Sequence, residues 1–328
     1  MGWFQSIFKS ETQDWFFSKI PFKQTPGDIK YSKVDAESRY IEIFLKSMRI
    51  VNLRKGFSKF YPTVHSHIEI AHKTGKSASF NVVTTSSNLE LLDSKNIDRV
   101  INFNRRLLGP IPYRGSDVKI EAGLFAVKED NLAKQFIALL DDISSLGGVS
   151  FISAALPYVQ PLEHGIELLT GSKENVTLEI GLNVELNKLE TGYYAIIRVD
   201  KGQINVKDLL IDKKDFRLTD KKGNPFKDYP YMVLEISARK KRDDWYSIPE
   251  ISKSYNNLKQ EVLKRDYVNA SDALKAFKYE ILTCPDLLYK DAKSIYQIVE
   301  GEINEVLSTT ETSGTDNVEL KELRDYQI

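Results

Sequence analysis

Apolar residues recur at every second position through most of the chain ahead of Pro249 and at every third or fourth position beyond it. The sequence therefore predicts strands first and helices last. The clearest strand pattern sets Val176, Leu178, Ile180, Leu182, Val184 and Leu186 against Thr177, Glu179, Gly181, Asn183 and Glu185. A second puts Val118, Ile120, Ala122, Leu124 and Ala126 on one face, away from Lys119 and Glu121. Residues 40–45, 48–53, 63–70, 77–84, 193–199 and 231–238 share this extended character, and 63–70 with 77–84 reads as a hairpin turning at 72–76. Gly109, Pro110, Pro112 and Gly115 predict an ordered loop leading into the strand near Asp117.

Helical spacing appears in three places. Trp3, Phe4, Ile7 and Phe8, then Trp15, Phe16, Phe17 and Ile20, would form an apolar stripe on a helix that Pro21, Pro26 and Gly27 terminate. Glu129 and Asp130 precede Leu132, Phe136, Leu139 and Leu140, an acidic first turn that complements a helix dipole, and 149–169 continues as an interrupted helical layer. Past Pro249 come the stripes Leu258, Val262 and Leu263, then Leu274, Phe277, Ile281 and Leu282 with Ser271 as cap, then Leu288, Ile295, Val299, Ile303 and Val306.

Parallel strands covered by helices on both faces would be continuously apolar, whereas these alternate, so antiparallel sheets are favoured over a doubly wound one. The expected fold is α+β: a predominantly antiparallel β-sandwich body with inserted helices, and a C-terminal helical hairpin or small bundle. Residues 1–34 read as an aromatic segment and linker, 35–246 as the β-rich main domain with its helical insertion, and 247–307 as the helical region. Residues 308–328 read as a flexible tail, because the Ser, Thr and Gly run at its start has too little apolar surface to offset ordering entropy.

Composition adds boundaries rather than detail. A chain of 328 residues can bury a substantial core. Its 46 basic and 46 acidic side chains cancel, which leaves no overall field to draw nucleic acid or an anionic membrane. Cys284 is the only cysteine, so no internal disulfide forms and a reducing compartment is expected. No apolar run reaches the roughly 18 residues of a spanning helix. The opening residues lack a signal-peptide pattern, and cytoplasmic residence is the expectation.

Candidate chemistry is sparse. The chain has no glycine-rich dinucleotide or phosphate loop and no Gly-x-Ser-x-Gly turn. His65, His67 and His72, with Glu69, could meet at one hairpin end and hold a divalent metal, the basis of an alternative reading as a metal-assisted hydrolase. No other cofactor is expected. Asp228 and Glu235 flank a strand like an acidic pair, but Ser237 stands where a lysine is wanted. Asp212, Asp215, Asp220, Asn224 and Asp228 offer the oxygen ligands that a hard cation prefers. Arg239, Lys240, Lys241 and Arg242 run into Asp243, Asp244 and Trp245, a charge reversal suited to docking a protein. Joined to Lys213, Lys214, Arg217, Lys221 and Lys222, with Tyr229 or Tyr231 for stacking, the same residues would suit nucleic acid. Trp3, Phe4, Phe8 and Trp15 could cover a partner protein, a second copy or a membrane surface. With no coherent catalytic constellation, the leading expectation is a noncatalytic protein-interaction or assembly module.

Overall fold

The computed structural model describes residues 15–51, 54–55, 58–71, 77–85, 100–128, 176–199, 202–313 and 320–326. Trp3, Phe4, Phe8, His72 and the helices expected over 129–169 lie outside the described residues. The chain divides into two compact units, one comprising Met1–Val34, Ile41–Gly109 and Gly115–Ala238, the other Asp35–Tyr40, Pro110–Arg114 and Arg239–Ile328.

The described strands are β1 (Trp15–Lys19), β2 (Tyr40–Arg49), β3 (Arg54–Lys55), β4 (Ser58–Ala71), β5 (Ser77–Thr85), β6 (Val100–Pro112), β7 (Val118–Lys128), β8 (Val176–Leu186), β9 (Gly192–Arg198), β10 (Leu209–Ile211), β11 (Leu218–Asp220) and β12 (Tyr231–Arg239). They build an antiparallel core of two packed sheets, one in the order β1-β9-β12-β2-β6, the other β3-β4-β7-β8 with β5 also on β4. In the second sheet the registers set Val64 opposite Leu124, Ile68 opposite Ile120, and Ile120 opposite Val184. Val64, Ile68, Ile70, Ala78, Phe80, Val118, Ile120, Ala122, Leu124, Ile180 and Leu182 are buried, while Asn183 and Glu185 face water. The alternation that predicted these strands is thus the division between core and solvent. A one-residue slip would exchange the two faces, at about 1.5 to 3 kcal/mol for each large apolar side chain exposed.

The first sheet is buried more deeply. Strands β9 and β2 are inaccessible at nearly every position, and β12 over its first six residues. Ile20, Tyr193, Ala195, Ile197, Tyr231 and Val233 pack on one face with Leu209, Ile211 and Leu218 of the two-stranded β10–β11 ribbon.

Two expectations are corrected in this unit. Residues 15–19 form strand β1, antiparallel to β9, instead of continuing a helical stripe. Bulky aromatics favour a pleated surface, and here Phe17 stacks on Tyr194 at 5.5 Å while Phe16 packs on the core. Gly109, Pro110 and Pro112 end strand β6 rather than forming a loop. β6 is an edge strand of its sheet, where a proline's missing N–H is tolerated. Gly109, at φ 93°, meets a requirement of space as well, because a Cβ there would sit 2.1 Å from the Ile41 carbonyl oxygen.

The second unit carries three helices: α1 (Pro249–Leu263), α2 (Tyr267–Thr283) and α3 (Tyr289–Ser313). Pro249 starts α1 at the position where its absent N–H costs nothing, and Ile251, Tyr255, Leu258 and Val262 form its buried stripe. Arg265 adopts φ 59° in the turn to α2. The cap of α2 is Asp266, whose carboxylate accepts the Asn269 N–H at 3.0 Å, so Ser271 lies inside the helix instead of starting it. Ala270, Ala273, Phe277 and Ile281 of α2, and Ala292, Ile295, Val299 and Ile303 of α3, complete the apolar interior. The tail expected from 308 onward is ordered in part. Helix α3 continues to Ser313, and 320–326 bury Leu320, Leu323 and Tyr326, whose apolar spacing outweighs the polar run before them.

Candidate functional site

Among the described residues, each unit holds a buried polar cluster. In the sheet unit, Tyr193 of β9 lies opposite Glu235 of β12, and Lys46 of β2 and Asn104 of β6 extend the row across four neighbouring strands. The buried Lys46 ammonium reaches Glu235 Oε2 at 2.9 Å and Asn104 Oδ1 at 2.7 Å, with the Phe216 ring 4.3 Å beneath it. Glu235 Oε2 also lies 3.1 Å from the Tyr193 hydroxyl, which in turn is 2.9 Å from both oxygens of Asp28. A phenol has one proton for these acceptors, so the lysine is what neutralises Glu235. Burial, with the Glu235 and Asp28 carboxylates, pushes the Tyr193 phenol far up and keeps it neutral. The row is a buried ion pair with hydrogen-bonding neighbours, each charge facing an opposite or polar partner.

In the helical unit the turn between α2 and α3 is the anchored element. Arg242, fully buried, bonds Asp244 Oδ1 at 2.8 Å, the Pro110 carbonyl at 2.8 Å and the Asp286 carbonyl at 3.2 Å, and lies 3.5 Å from the Asp286 carboxylate. Arg114 pairs with Glu37 and donates to the carbonyls of Pro285 and Leu287 at 3.3 and 3.2 Å. Tyr40 donates to Asp291 at 2.6 Å and accepts from the Leu288 N–H at 3.0 Å. Cys284 closes α2 in this setting, and burial, then the nearby Asp286, pushes its thiol up to about 12, so it is an inert core residue.

A third arrangement lies on the surface of the helices. Residues 320–326 rest on α1 and α3. Tyr255 donates its hydroxyl to the Lys321 carbonyl at 2.5 Å and therefore receives the Tyr326 hydroxyl, 2.9 Å away, with the two rings edge to face. Lys259 pairs with Glu322 at 2.6 Å, and Glu302 accepts the Lys321 N–H at 3.1 Å.

The residues singled out from the sequence fall in several places. Arg242 and Trp245, expected on a docking surface, are buried. The arginine is drawn inward by carbonyl and carboxylate acceptors, and the indole starts the short helical turn ahead of α1. Arg239 pairs with Asp243 at 3.2 Å, and Lys240 and Lys241 are exposed. Tyr231 is buried with its hydroxyl accepting the Leu218 N–H, and Tyr229 stacks on Phe226 at 5.4 Å, so Tyr231 offers no stacking face. Trp15 is a strand residue opposite Arg198.

His65 and His67 sit on β4 opposite Gly123 and Glu121, and no group of three or more potential metal ligands occurs among the described residues. The acidic loop residues are occupied locally. Asp212 accepts the Lys214 N–H at 2.8 Å, Asp215 pairs with Arg217, and Asp220 accepts from the Lys222 and Asn224 amides. The lysine that Glu235 lacks at Ser237 is supplied by Lys46 from another strand. Its signal was a charge directly after the apolar run Ile43-Phe44-Leu45, on a strand that also carries Glu42 and Arg49. Set against protein-family models, curated proteins and solved structures, the chain gives no significant match in any of the three.

Proposed function

We propose that this chain is a noncatalytic protein-interaction or assembly module that docks through the corner between α1 and α2. The observation that supports this is where large apolar side chains stay in water. Among the described residues eight are exposed, and seven of them, Tyr246, Leu263, Tyr267, Val268, Tyr279, Tyr289 and Ile298, belong to the helical unit. Leu263, Tyr267 and Val268 lie at the turn joining α1 to α2, Val268 with 73% of its surface exposed, and Tyr279 shares the Val268 face three turns along. Between Val268 and Tyr279 the same face carries the exposed Asp272–Lys275 ion pair, so the apolar contact is the corner itself, and large apolar side chains gathered in water at one place are a frequent mark of a protein contact. The buried ion pairs fit the same reading, since each charge in them is held by fixed partners within its own unit.

The test compares the purified chain with a Leu263→Asp, Val268→Asp variant by light scattering and by retention of a partner at fixed stoichiometry. Both positions are exposed, so the variant keeps its helical content. Loss of a second copy or of a stoichiometric partner supports docking at this corner. Identical behaviour of the two proteins, or turnover by the purified chain, contradicts it.

A further inference from the structure

We infer that the helical unit contains a recognition groove for a short linear peptide, and that residues 320–326 are its resident, displaceable occupant. The groove residues Lys259 and Tyr255 precede Leu263 by one and two turns of α1, so groove and corner are neighbours that different substitutions test. The bound segment has no strand or helix pairing with the bundle. A single turn of 3-10 helix (Leu323–Asp325), closed by reciprocal Glu322 and Asp325 capping bonds, sets its shape. That turn points Leu320, Leu323 and Tyr326 inward, leaving each less than a tenth exposed, while Lys321, Glu322, Arg324 and Asp325 face water. The groove side chains supply the directional contacts: the Tyr255 hydroxyl for a peptide carbonyl and for the Tyr326 hydroxyl, Glu302 for a peptide N–H and for the Lys321 ammonium, and Lys259 for an acidic side chain.

This is the anatomy of linear-motif recognition, with apolar anchors three residues apart, a few directional polar contacts, and no dependence on the ligand's own fold. It specifies the partner's chemistry. The partner is a peptide with aliphatic residues at the first and fourth positions, an acid at the third and an unmodified tyrosine at the seventh. The terminal tyrosine must keep its proton, because its hydroxyl is the donor that Tyr255 accepts. A resident segment on the same chain competes at an effective concentration on the order of millimolar, so a partner peptide in trans reads the groove only as the resident leaves.

The test uses the full chain and a fluorescein-labelled peptide of residues 318–328, followed by fluorescence anisotropy. In a Leu320→Ser, Leu323→Ser, Tyr326→Ser chain the groove residues are intact and the resident is disabled. This chain should bind the peptide at least about tenfold more tightly than the wild type, the margin set by removing a tethered competitor. Tyr326→Phe, which removes one hydroxyl and keeps the ring, should give a smaller gain in the same direction and guards against a triple variant that fails to fold. Lys259→Glu should weaken binding in the triple variant, and a peptide carrying Glu322→Lys should restore it. Equal binding by wild type and Tyr326→Phe, no binding to either variant, or equal binding of a scrambled peptide would overturn the inference.

Discussion

Lys46 and Glu235 show at residue scale how this chain tolerates charge in its core. Each is buried, and each is the other's counterion, with Asn104 and Tyr193 taking up further hydrogen-bonding capacity. Replacing Lys46 by Met leaves the Glu235 carboxylate in a desolvated site without its cation, an outcome that costs about 3 to 5 kcal/mol. Replacing both, with Lys46→Met and Glu235→Leu, removes the penalty together with the pair, and is expected to recover most of that loss. Equilibrium unfolding in urea checks this. A lysine variant as stable as the wild type would mean that the pair contributes nothing to the sheet. The two partners are 189 positions apart in sequence (235 − 46), so neither charge pointed to the other. What the sequence could not convey was the strand order that places them side by side.

At the scale of elements, legibility followed periodicity. β4, β5, β7 and β8 were readable because one face is wet, and their alternation survives in the burial of Val64, Ile68, Ile120, Leu124, Ile180 and Leu182. β6 was not, because Asn104 at φ 42° interrupts its pattern and its prolines imitate a loop. β1 was misread because Trp15, Phe16 and Phe17 continue a spacing that fits a helix equally well. The helices were legible from their stripes, whereas the seating of 320–326 depends on Tyr255 and Glu302, which belong to distant turns.

The same segment carries a pH signature. Burial raises the Tyr255 phenol to about 12 in the folded protein, so its contribution is complete below the ordinary tyrosine value near 10 and is lost as pH rises toward 12. Lys259 holds the Glu322 carboxyl below its usual range, and that contribution is present above the ordinary glutamate value and lost as pH falls through the depressed one. Amide exchange at 320–326, corrected for intrinsic rates, should therefore accelerate at both extremes while the interior of α1 stays protected. Protection that is flat across both windows would contradict the assigned contacts.

At the scale of the whole molecule, the two units differ in how many large apolar side chains their described residues leave in water. The sheet unit buries β9, β2 and the first six residues of β12 and holds an ion pair between two of these strands. The helical unit keeps an equally dry interior along Tyr255, Phe277 and Ile295 yet leaves Leu263, Tyr267, Val268 and Tyr279 in water. The described core of the helical unit packs without those exposed side chains, and the docking we propose is what would account for them.

The most direct measurement is site-specific photo-cross-linking from a benzoylphenylalanine at position 268 in the producing cell, with the exposed Lys222 position of the sheet unit as control. The account predicts one discrete adduct from position 268, either to a second copy or to a single other protein, that is absent from position 222 and abolished by Leu263→Asp. No adduct, or the same diffuse set of adducts from both positions, would contradict it.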